Sequence, residues 1–161
     1  MTTSPEPGST VLRPTIRHLA DPVHLVALGF GSGLAPFAPG TFGSLVGLGF
    51  ALALAPLGLG WNLLACVVAV VAGIWVCGAS ARRLGVHDHP AIVWDEVAGM
   101  MITMLAAPRG AWWAMLAFGL FRLFDIAKPW PIREIDHGMR GGAGIMLDDV
   151  MAGTLAAAGL L

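Results

Sequence analysis

Apolar residues fall in five blocks along the chain, each bounded by Gly, Pro or charge, at about residues 44–59, 61–81, 91–106, 111–127 and 145–161. Continuous apolar runs of this length, bounded by such breakers, predict helices. Sixteen residues of helix rise only about 24 Å, less than a hydrocarbon core of about 30 Å. Several segments are therefore expected to be half-inserted, or tilted into a thinned bilayer. The second block is the best span and ends in Arg82 and Arg83; Pro56 interrupts the first, while Pro129 and Pro131 stop the fourth. The predicted fold class is all-α: a polytopic membrane helical bundle of about five short helices.

If the segments alternate in direction, the polar residues sort to one side. That side collects the loop GFGSGLAPFAPGTFG, RRLGVHDH, Asp95 and Glu96, FRLFDIAKPWPIREIDHGMRGG, and the pair Asp148 and Asp149. The other side has only PLGLGWN, PRGA and the terminus. Arg13, Arg17, Arg82, Arg83, Lys128, Arg133 and Arg140 lie with the first group and Arg109 alone with the second, so the positive-inside rule makes the polar side cytoplasmic. Composition agrees: 12% of residues are charged, against about 25% in an ordinary soluble domain. No Asp, Glu, Lys or Arg occurs between Asp21 and Arg82. The net charge of −1 gives no sign of a nucleic-acid partner. Residues 1–21, rich in Ser, Thr and Pro at their start, are expected to be a disordered tail without a signal-peptide core; residues 22–161 form one membrane-embedded domain. Cys66 and Cys77 lie in an apolar run, where packing is the expected role.

An unpaired carboxylate in a bilayer costs several kcal/mol or more, which makes the acids informative. Asp95 and Glu96 open the third block, Asp125 closes the fourth and Asp148 and Asp149 head the fifth, so all five can converge at one depth. Each pair also suits a solvated helix cap, where the dipole favours negative charge. As an ensemble they would repel unless neutralised, and an oxygen-only donor set suits Mg²⁺. Gly99, Ala152 and Gly153 stand one turn beyond the acids, where small residues let helices approach closely. The similarity of WDEVAG to LDDVMAG hints at a degenerate internal repeat.

Arg122 and Asp125 share a helical face at i, i+3, with Lys128 three residues on. They form either a self-neutralising pair or an arrangement in which Asp125 joins the metal cluster while Arg122 and Lys128 face an anion. In the Gly-rich stretch from Gly29 to Ser44, backbone N–H groups with Ser32, Thr41 and Ser44 could cradle phosphate. His87 and His89 flank Asp88 just before Asp95, and either could protonate a leaving group, although loop histidines are often merely exposed. CGASARR fits the C-x5-R pattern of cysteine phosphatases, but that chemistry needs an electropositive loop, and Cys77 is expected inside a helix.

Taken together, GFGSGLAPFAPGTFGSL, VHDHPAIVWDEVAGM, FRLFDIAKPWPI and GGAGIMLDDVMAG, in this order, resemble the phosphatidylglycerophosphatase A family over residues 22–161. The resemblance implies a bacterial inner-membrane enzyme with an all-helical fold that uses Mg²⁺ to remove the terminal phosphate of an anionic phospholipid, phosphatidylglycerophosphate. It maps the family's acidic motifs onto Asp95, Glu96, Asp125, Asp148 and Asp149 as metal ligands, and its basic motif onto Arg122 and Lys128. Asp95, Asp125, Asp149 and Lys128 are then expected to carry catalysis, and Arg122, Lys128, Thr41, Ser44, His87 and His89 to bind substrate. Mg²⁺ would polarise the phosphoryl group and lower the pKa of a bound water. The competing reading is a cation-coupled transporter or channel using the same acids; against it, no polar row leads to the other face.

Overall fold

The computed structural model describes residues 14–86, 89–130, 132 and 141–161, and these are helical with short connections. The helices are α1 (Pro22–Ala27), α2 (Pro39–Leu54), α3 (Leu59–Leu84), α4 (Trp94–Met104), α5 (Ala111–Ala127) and α6 (Gly142–Ala158), with 3₁₀ turns at Ile16–Ala20, Gly29–Leu34 and Ala55–Leu57. Ile16–Ala20 falls within the expected tail; residues 1–13 lie outside the described residues.

The helices start where backbone chemistry favours it. Asp21 accepts from the Val23 N–H at 2.8 Å and Pro22 stands at N1 of α1, while Pro39 does the same for α2. Because of Pro39, α2 begins five residues before the expected apolar block. Thr41 and Ser44 thus occupy its first two turns rather than a loop. At the far end, the Asn62 amide donates to the carbonyls of Leu54 and Gly58, at 3.0 and 2.7 Å.

Among the described residues, two helical stretches are long and apolar enough to cross a membrane, Pro39–Leu57 and Leu59–Leu84, with mean hydropathy of 1.6 and 2.4. Only 22% and 44% of these stretches are buried in the protein, which is not how a soluble fold covers its core helices. Leu64, Val67, Val68, Val71 and Trp75 of α3 and Trp112, Met115, Leu123 and Ile126 of α5 are all exposed. By contrast α4 has 11 residues, a rise of about 16 Å. It cannot span, and it packs centrally against α6, α2, α3 and α5.

Small residues make that central position possible. A Cβ on Gly99 of α4 would lie 2.6 Å from the Phe121 ring and 2.7 Å from the Asp149 carbonyl, and one on Gly153 of α6 would strike the Gly99 carbonyl. The two helices therefore touch backbone to backbone, as small residues in the sequence suggest. The buried Thr103 hydroxyl lies 3.0 Å from the Gly99 carbonyl and 3.3 Å from that of Gly153, and so bridges the crossing. The Trp94 indole N–H donates to the Ala69 carbonyl at 3.0 Å, tying the head of α4 to α3.

Candidate functional site

The α4–α6 crossing fixes where the acids go. Asp95 and Glu96 lie in the first turn of α4, and Asp149 stands one turn before Gly153 on α6. One carboxylate oxygen from each of Asp95, Glu96 and Asp149 lies within 4.8 Å of the others. Asp95 and Asp149 are 8% and 3% exposed, so water screens their mutual repulsion poorly. Glu96 Oε2 and Asp149 Oδ1 are buried with no hydrogen-bond partner among the described residues. Asp125 approaches the cluster from the end of α5, close enough for its charge to act on Asp149 and Glu96.

Asp148 is different. One residue along a helix turns a side chain by about 100°, and Asp148 Oδ2 accepts from Lys128 Nζ at 2.8 Å instead. Lys128 holds this position from a left-handed conformation, φ 39°, at the end of α5. The ammonium is thus brought beside the head of α6.

Arg122 forms a short ion pair with Asp125. Its Nη1 also lies 3.4 Å from the Ser44 hydroxyl, a long contact, while that hydroxyl donates to the Gly40 carbonyl at 2.8 Å. Arg122 Nε is buried without a partner among the described residues. The first turn of α2 closes this side of the site: a Cβ on Gly40 would collide with Glu96 Oε1 and lie 3.2 Å from Arg122 Nη1. With no side chain at Gly40, the N-terminal turn of α2, with its outward N–H groups, lies directly against the Glu96 and Arg122 side-chain ends. No spacing in the sequence marks Gly40 out; the available signal is Pro39 at the helix start.

Thr41 is partly exposed in the same turn and Ser44 is buried behind it. Ser32, in the preceding 3₁₀ turn, has a buried hydroxyl without a partner among the described residues. His89 sits before α4, its Nδ1 accepting from the Ala91 N–H at 3.1 Å, whereas His87 lies outside the described residues. Cys77 is 0% exposed inside α3, 3.9 Å from the Met146 sulfur. CGASARR therefore forms no phosphate-wrapping loop.

The donor set tests well against a hard cation. It is all oxygen, it comes from three carboxylates within 4.8 Å, and two of its buried oxygens otherwise lack partners.

Comparison with known proteins shows the family. The family model described as Phosphatidylglycerophosphatase A matches residues 25–161. Phosphatidylglycerophosphatase A of Escherichia coli K12 is 46% identical over 142 residues, covering 86% of this chain and 81% of the relative. The protein of the same name from Haemophilus influenzae is 48% identical over 141 residues, 86% of each chain. A Bacteroides thetaiotaomicron relative with the provisional name phosphatidylinositol-3-phosphatase is 42% identical over 137 residues, covering 80% of this chain and 85% of its own. No solved structure matches. A match reaching from residue 25 to residue 161 takes in every helix that builds the acidic cluster, and the chain belongs to the phosphatidylglycerophosphatase A family.

Proposed function

We propose that this chain hydrolyses the terminal phosphomonoester of phosphatidylglycerophosphate, giving phosphatidylglycerol and inorganic phosphate, with Mg²⁺ as cofactor. The observation that carries this reading is the set of three carboxylate oxygens within 4.8 Å of one another, flanked by Arg122 and Lys128. Family membership and the relatives' names support the choice of substrate.

Asp95, Glu96 and Asp149 would hold the ion, with Asp125 against Asp149. When bound, the ion supplies charge neutralisation and Lewis-acid polarisation of a phosphoryl oxygen. The chain's own groups do the rest. Arg122 and the first turn of α2 bind the equatorial phosphoryl oxygens, where charge builds up in the transition state. Lys128, tethered by Asp148, adds a mobile positive charge. Asp125, oriented by Arg122, takes a proton from the attacking water. His89 or His87 returns a proton to the departing alkoxide, so that a P–O ester bond is exchanged for a P–OH bond.

The exposed apolar faces of α3 and α5 support a multi-pass protein of the bacterial cytoplasmic membrane, and the charge asymmetry supports a cytoplasmic orientation for the acids. The lipid then stays in the bilayer with its headgroup at the rim. The same asymmetry disfavours a transporter, because the opposite end offers only Arg109 as a charged group among the described residues. The test is purified protein with phosphatidylglycerophosphate in detergent micelles and Mg²⁺, read by mass spectrometry. Equal amounts of phosphate and phosphatidylglycerol are expected. Folded protein that conducts cations in liposomes and releases no phosphate would restore the transporter reading.

A further inference from the structure

At the end of the bundle opposite the acids, the last turn of α2, the start of α3, the last turn of α4 and the loop to α5 surround a cavity of about 600 Å³. That volume is within the roughly 300–1,000 Å³ of ligand pockets. Its walls include Ala51, Leu52, Met101, Met104 and Leu105, and its polar side chains are Asn62 and Arg109. The Asn62 amide N–H groups are spent on the Leu54 and Gly58 carbonyls. Arg109 is exposed and makes no ion pair among the described residues. It is thus an available cation at the mouth of an apolar cavity.

Two further residues locate the cavity relative to a bilayer. Trp61 at the start of α3 and Trp112 at the start of α5 are 62% and 69% exposed at this same end, and exposed tryptophans collect at headgroup level. A net negative charge meeting Arg109 at that depth is the headgroup of an anionic lipid, and the apolar walls beside it suit an acyl chain. We propose that this cavity binds one anionic phospholipid of the leaflet facing it, headgroup on Arg109 and one chain among Leu52, Met101 and Met104. The lipid serves as a bound structural partner rather than a substrate, because the length of α4 separates it from the carboxylates. The inference rests on the membrane reading and is independent of which phosphomonoester is cleaved.

The test is native mass spectrometry of delipidated protein in detergent, offered equal phosphatidylserine and phosphatidylcholine with identical chains. One phosphatidylserine should be retained in preference by about fivefold, the effect of a single cation near a lipid surface. Arg109→Gln, at an exposed loop position, should erase that preference while leaving phosphate release unchanged. Ala55→Phe should remove retention by filling the cavity. Lys128→Gln, at the acidic end, should keep both retention and preference. An unchanged preference in Arg109→Gln, or its loss in Lys128→Gln, would overturn the assignment.

Discussion

Asp148 and Asp149 are neighbours in the chain with different surroundings, and this difference is open to measurement. Asp149 faces Asp95 and Glu96, so Asp149→Asn should cut turnover by about a hundredfold or more, roughly 2.7 kcal/mol of transition-state stabilisation, and raise the Mg²⁺ concentration needed for half-maximal activity. Asp148→Asn keeps a hydrogen-bond acceptor for Lys128 and should lower kcat/KM by about tenfold or less. Equal losses in steady-state assays would mean that both aspartates meet the ion. Cys77→Ser should retain turnover, since Cys77 is fully buried inside α3 with its sulfur against Met146 and serine keeps its size; loss of turnover in folded protein would bring back thiolate chemistry. The five acids and two cations were legible from charge stranded at the ends of apolar runs. Which member of a pair points inward was not, because that depends on how α6 is rotated against α4.

The α4–α6 crossing is the element on which the site depends. Gly99→Ala would push a methyl against the Asp149 carbonyl and the Phe121 ring, so it should destabilise by about 1–3 kcal/mol and lower activity as well. Gly119→Ala on α5, where nothing lies within 4 Å, should be neutral or slightly stabilising. Thermal unfolding in detergent separates the two, and equal stability would mean that the helices do not touch there. A second element contact should respond to pH. His24 of α1 is buried with Nδ1 2.9 Å from the Ser80 hydroxyl, and burial lowers its pKa below the ordinary 6.5. The stability it lends to the docking of α1 is complete above pH 6.5 and is lost as pH falls through the lowered folded value. Protection factors of the α1 amides, exchange rates corrected for their intrinsic pH dependence, should therefore fall between pH 7.5 and 5.5, and His24→Gln should flatten that response. Block boundaries located α3, α5 and α6 to within a few residues. The 3₁₀ turns and α1 were not legible, because segments of three to six residues are too short to show a period, and the early start of α2 required reading Pro39 as a helix opener.

On the scale of the whole molecule, charge and apolar surface are arranged in opposition. One end holds the acids with Arg122 and Lys128; the other holds a cavity, Arg109 and exposed tryptophans; exposed apolar residues of α3 and α5 lie between. This polarity was legible from the missing charges between Asp21 and Arg82 and from the lone Arg109. The cavity was not, because it forms where four segment ends meet. The central claim is that the acidic end is a divalent-cation site for hydrolysing a phosphomonoester lipid, and phosphate release during a Mg²⁺ titration tests it most directly. Purified protein in excess EDTA should release no phosphate from phosphatidylglycerophosphate and should recover turnover when Mg²⁺ is restored. Undiminished release in EDTA would contradict the account, because Asp95, Glu96 and Asp149 would then face an anionic substrate with their own charge uncancelled.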